Sequence, residues 1–207
     1  MTVEPPTLVA NGASTATMTA LVMDAFGNPV RDGTRVAFST DLGSVSPTSS
    51  TTQYGIARTT YRGGTELGLA SLAASSGAAL GQAQVALVAG PPAYLSLSAR
   101  DTRLPVGARF TTWLTATVRD ASNHPVADGI PVTFTAETGS IEPGSASTIG
   151  GIATALYTGT WQGRWSVVRA STVGGVSDTL AIWLEPYQLW FPLISRQGKV
   201  VPWKTTR

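Results

Sequence analysis

The sequence predicts an all-β protein built as two tandem β-sandwiches, and three observations carry that prediction. The 207 residues are 43% hydrophobic and only 13% charged, with 22 Gly and 13 Pro. Short runs of Thr, Ser, Val and Ala stand between Gly and Pro, while lysine, a good helix former, occurs only at Lys199 and Lys204; this is the usage of strands and turns. Apolar residues alternate with polar ones at period two, the mark of a strand with one buried face. Finally, the chain matches itself when displaced by 96 residues, as from Asp24 to Asp120.

That match runs without gaps. Asp24-Ala25 falls on Asp120-Ala121, Pro29-Val30 on Pro125-Val126, and Asp32-Gly33 on Asp128-Gly129. Val36 and Phe38 fall on Val132 and Phe134, Gly43-Ser44 on Gly139-Ser140, Pro47 on Pro143, Gly55-Ile56-Ala57 on Gly151-Ile152-Ala153, and Tyr61 on Tyr157. Such a period is too long for a solenoid and suits a whole immunoglobulin-like sandwich. We therefore divide the chain into domain one (1–90), domain two (91–186) and a tail (187–207).

Each element follows in order. In Thr15–Met23 the alternation turns Ala16, Met18, Ala20 and Val22 inward, and in Thr111–Arg119 it does so for Thr112, Leu114, Ala116 and Val118. Gly27-Asn28-Pro29 supplies a turn, because Gly and Asn tolerate positive φ and Pro fixes its own. Arg35–Ser39 and Pro131–Thr135 follow as short strands with Val and Phe inward, then a Gly-Ser-Val/Ile-x-Pro turn and brief strand. Ile56–Tyr61 and Ile152–Tyr157 alternate again. Trp165–Ala170 and Thr179–Leu184 flank a loop holding Gly174-Gly175, and a loop at Ser75–Gly81 separates their counterparts. Ala89-Gly90-Pro91-Pro92 is a stiff linker. After it Tyr94–Ala99 forms a strand whose counterpart would begin before Met1, so the first strand of domain one should be largely missing. The core of domain two should contain Leu114, Ala116, Val118, Val132, Phe134 and Tyr157.

Asp24-Ala-Phe-Gly-Asn-Pro-Val30, Val36-Ala-Phe38, Gly43-Ser-Val-Ser-Pro47 and Gly55-Ile-Ala57 resemble the bacterial Ig-like group 1 (Big-1) domain, the tandem module of invasin- and intimin-type surface proteins. The resemblance spans both copies, although Asn123-His124 replaces Gly27-Asn28 in the second. It implies a non-catalytic extracellular module, a stalk, spacer or adhesive segment of a bacterial surface or secreted protein. Its partners would be neighbouring Ig-like domains and a surface protein or glycan.

Several chemistries are excluded or weakened by the residues themselves. There is no Cys, so disulfides, thiol catalysis and Cys-ligated metals are out. The single His124 sits in a turn, and no Gly-x-Ser-x-Gly elbow or orienting partner accompanies it. An enzyme is therefore not expected, nor any cofactor or metal. Asp24/Asp32 and Asp120/Asp128 recur across a turn, and two acids fall short of the 6–8 oxygens calcium takes; they read as turn caps. Intramolecular Lys–Asn bonds are excluded because neither repeat has a lysine. All six Trp lie in the second half. Trp113 and Trp165 point away from the core by alternation, which makes them the possible ligand surface. They could pack against the tail instead, or serve an accessory carbohydrate-binding module as an alternative function.

Charge and hydropathy settle the remaining classes. The formal net charge is +2. Arg196, Lys199, Lys204 and Arg207 supply the tail's positive charge, and the body lacks the basic patch that nucleic acid needs. Leu67–Val88 is uncharged and long enough to span a bilayer, but its Ser and Gln residues and the Arg164, Arg169 and Asp178 of its repeat partner argue against a transmembrane segment. The start, Met1-Thr-Val-Glu-Pro-Pro, lacks the basic n-region and apolar h-region of a signal peptide, and the expectation is the C-terminal remnant of a longer exported protein. The tail, Tyr187–Arg196 apolar and then basic, reads as an extra strand or packed extension.

Overall fold

A computed structural model of the chain describes residues 1–105, 111–160 and 165–185. Among these the secondary structure is all strand and turn, with no helix. Domain one contains β1 (Thr2–Glu4), β2 (Thr7–Val9), β3 (Thr15–Leu21), β4 (Arg35–Thr40), β5 (Ser44–Ser46), β6 (Ser49–Thr51), β7 (Ile56–Arg62), β8 (Gly68–Ser76) and β9 (Ala79–Val88). Domain two contains β10 (Tyr94–Ala99), β11 (Arg103–Pro105), β12 (Thr111–Arg119), β13 (Pro131–Ala136), β14 (Ser140–Glu142), β15 (Ser145–Ser147), β16 (Ile152–Thr158), β17 (Trp165–Thr172) and β18 (Ser177–Glu185).

Each set makes two sheets. In domain one the orders are β1-β3-β7-β5 and β2-β9-β8-β4-β6; in domain two they are β10-β12-β16-β14 and β11-β18-β17-β13-β15. The two topologies are the same strand for strand. Pairing is antiparallel except for β2 on β9 and β11 on β18, which run parallel.

The inward faces are those the alternation predicts. Ala16, Met18 and Ala20 of β3 are buried, as are Thr112, Leu114, Ala116 and Val118 of β12. Val36 and Phe38 meet Tyr61, Leu72 and Val85 in one core; Val132 and Phe134 meet Tyr157, Val168 and Ile182 in the other. All six residues expected in the core of domain two are there. Burial of large apolar side chains at about 25 cal/mol per Å² is what holds such sheets face to face.

The turn chemistry also repeats. Asn123 takes φ 67° where Gly27 takes φ 81°, so the substituted turn keeps its left-handed residue. Gly139 sits at φ 90°, and a Cβ there would lie 2.4 Å from the Thr158 carbonyl oxygen; Gly43 faces the Arg62 carbonyl in the same way. Only a residue without a side chain fits that approach.

Two expectations are corrected. Domain one does have a first strand, in shortened form: β1 pairs Thr2, Val3 and Glu4 with Thr19, Met18 and Thr17, where β10 makes six pairs with β12. Val3 anchors it by burying its side chain in the core. Beside Met1 a cavity of about 180 Å³ opens between Ala20–Met23 on one side and Ala79–Gly81 on the other. Second, Ser75–Gly81 is no loop. β8 and β9 stay paired to Ser76↔Ala79, so the turn is only Gly77-Ala78. Small side chains leave the backbone ladder unobstructed, and Gly77 supplies positive φ, as two-residue hairpins require. The tail lies outside the described residues.

Candidate functional site

The outward aromatic residues of domain two are the chief candidate surface. Trp113 is 52% exposed and Trp165 50% exposed, on the faces that strand alternation assigns. They belong to different sheets, however. Trp113 is on β12, opposite Leu156 of β16. Trp165 is on β17, directly opposite Trp183 of β18. The structure therefore does not bring the two candidates onto one face; it gives Trp165 a different neighbour.

Trp183 is itself 52% exposed. Directly opposed residues on an antiparallel pair lie about 4.5–5.5 Å apart at Cβ, so two indoles there form one aromatic patch. Sequence reasoning passed Trp183 over. The signal was present, since burial of Ile182 and Leu184 on β18 forces Trp183 outward by period two. Arg103 of β11 borders Trp183 on its other side. Trp161, Trp190 and Trp203 fall outside the described residues.

The recurring acids are all engaged with backbone N–H groups. Asp24 Oδ1 accepts from the N–H groups of Phe26 and Asn28, each at 2.9 Å. Asp120 Oδ1 does the same for Ser122 and His124, at 2.9 and 2.8 Å. Asp32 accepts from the Tyr54 N–H, and Asp128 from the Gly150 N–H at 2.7 Å. The backbone bonds from Asn28 and Phe26 and the Asn28 side chain hold the Asp24 carboxyl below its usual 3.8, against an opposing push from burial. These acids cap turns. Among the described residues no group of three or more His, Cys, Asp or Glu side chains is placed to hold a metal ion.

His124 Nδ1 lies 3.3 Å from Asp120 Oδ2. The backbone gives its role: the Asp120 N–H donates to the His124 carbonyl at 2.9 Å, so His124 closes the turn. The cavity beside Met1 is lined by Met, Leu, Val, Ala and Ser side chains and by no carboxylate or imidazole. Among the described residues, no helix is long and apolar enough to cross a membrane.

Comparison with known proteins agrees with this reading. Residues 1–90 match the model of the family "Invasin, domain 3". Among solved structures, Yersinia pseudotuberculosis InvD is 21% identical with a TM-score of 0.58, covering 90% of this chain and 58% of that one. The Escherichia coli adhesin FdeC is 19% identical with a TM-score of 0.56, covering 89% of this chain and 63% of its own. This chain thus spans about three fifths of either structure, and at such identity the likeness is one of fold. The comparisons lend no support to a carbohydrate-binding module. Residues 1–90 carry the match to the invasin domain, and residues 91–185 rebuild the same two sheets in the same order, so the second half repeats the fold of the matched first half.

Proposed function

We propose that the chain is a non-catalytic extracellular segment of a bacterial surface or secreted protein, working as a stalk or spacer and offering an adhesive face on domain two. The observation that carries this reading is the match of residues 1–90 to an invasin domain together with its structural repetition in the second half. It is supported by the use of every recurring acid as a turn cap, which leaves the repeat without a reacting constellation. The partners implied are further Ig-like domains in the same protein and a surface protein ligand, as the resemblance to an adhesin suggests.

Within this reading the paired Trp165 and Trp183, and separately Trp113, are the contact surfaces. Large flat aromatics that are half exposed suit protein recognition, where Trp is enriched at energetic centres. Shaving intact bacteria with protease, followed by blotting for domain two, tests the location. Cleavage before lysis is expected; protection until lysis would exclude an extracellular segment. Beads coated with the purified chain then separate spacer from adhesin. Adherence to host cells that drops in the Trp165→Ser/Trp183→Ser variant assigns an adhesive face, whereas adherence at the albumin background leaves a spacer.

A further inference from the structure

Asp120 differs from its repeat partner in one respect that the turn does not explain. Both carboxylates cap the same turn through Oδ1. Yet Asp24 is exposed, whereas Asp120 is only 1% exposed. The cover comes from the linker. The Gly90 N–H donates to Asp120 Oδ2 at 2.7 Å, and the Ala93 N–H donates to the Arg119 carbonyl at 2.8 Å. On Asp24 the corresponding Oδ2 meets only the Asn28 side-chain amide, at 3.3 Å.

Gly90 is held from both sides. A Cβ at that position would lie 3.2 Å from Val9 Cγ1 of domain one and 3.5 Å from Asp120 Cβ and Oδ2 of domain two. The residue therefore sits between β2 of one domain and the first turn of the next, where a side chain would press on Val9 and Asp120. Pro91 and Pro92 follow at once and restrict the backbone further. A charge-assisted hydrogen bond to a buried carboxylate is among the stronger non-covalent ties available to a main chain.

We propose that Asp120 is the docking point of the linker, a joint that fixes the orientation of domain two on domain one through Gly90. This inference rests on the geometry of the junction and stands whether or not the chain acts at a bacterial surface. The residue thus does two things at once: Oδ1 closes its own turn and Oδ2 seizes the incoming chain.

The chain has no cysteine, so Thr60→Cys and Thr154→Cys, on exposed strand positions of the two domains, allow a pair of spin labels without background. Pulsed dipolar spectroscopy of the full chain should give one narrow distance between them. Asp120→Ala should lose it to a broad distribution, and Gly90→Val should do the same while leaving the Asp120 turn intact. Asp24→Ala removes the identical turn cap where no linker docks and should leave the distance narrow. If Asp120→Ala fails to fold, Gly90→Val decides alone. A narrow, unshifted distance in the decisive variant, or equal broadening in Asp24→Ala, overturns the joint.

Discussion

Tyr61 and Tyr157 occupy the same place in the two copies, and both rings are fully buried. Their hydroxyls differ. Tyr157 donates to the Thr138 carbonyl at 3.0 Å, while the buried Tyr61 oxygen lies beside Thr40 and makes no hydrogen bond of full geometry. Removing a satisfied hydroxyl strands its acceptor, and removing an unsatisfied one relieves a desolvated group. Tyr157→Phe should therefore cost about 0.5–1.5 kcal/mol in urea unfolding, and Tyr61→Phe should be neutral or stabilising; equal costs would contradict this assignment. Asp120 gives a second prediction at this scale. Burial pushes its carboxyl up, but the hydrogen bonds from Gly90, His124 and Ser122 outweigh burial and hold it below 3.8. The folded value lies under the unfolded one. The stabilisation is thus present above about pH 4 and is lost as pH falls through the folded value. Asp120→Asn should flatten the acid limb of a stability-against-pH curve while remaining less stable at neutral pH; an unchanged acid limb would show that Asp120 does not contribute to it.

The elements differ most at the start of each domain. β10 lays Leu97 into the core, with Leu95 packed against it, where domain one has only Met1, partly buried, before the three-residue β1. Leu21, Met23 and Leu80 are left 48%, 49% and 67% exposed in domain one, around the cavity. A fully buried leucine contributes about 1.5–3 kcal/mol. At roughly 4–8 °C per kcal/mol for a domain of this size, residues 1–90 made separately should melt on the order of 6–24 °C below residues 91–207. Coincident melting curves would refute this. The sequence displayed the inward faces, the repeat and the turns because period two and Gly/Pro chemistry are local. It did not display β6 and β15, whose Ser-rich segments carry no apolar alternation and are strands only because β4 and β13 offer them a free edge. The Trp165–Trp183 pair needed hairpin register, and the Gly90–Asp120 contact needed two domains to be placed together. Neither is encoded in any single window.

For the molecule as a whole, one consequence lies in the direction of two short strands. β2 runs parallel to β9 through Thr7↔Ala86, Leu8↔Leu87 and Val9↔Val88, and β11 runs parallel to β18 through Arg103↔Trp183, Leu104↔Leu184 and Pro105↔Glu185. These join an early strand of each domain to its last. A tensile load entering near the start of a domain and leaving at its end therefore pulls the two partners past each other along their own axes. The hydrogen bonds of the patch then share the load together, whereas a hairpin pulled at its open end would release them one after another. Forced rupture is governed by the unfolding barrier rather than by equilibrium stability. Pulling each domain by its ends should thus require more force than pulling the β8–β9 hairpin open across its strands. A single-molecule experiment with attachment points moved from the domain ends to Leu69 and Ala86, opposed at the open end of the hairpin, reads the difference; equal forces in the two geometries would show that the parallel patches do not act as a shear clamp.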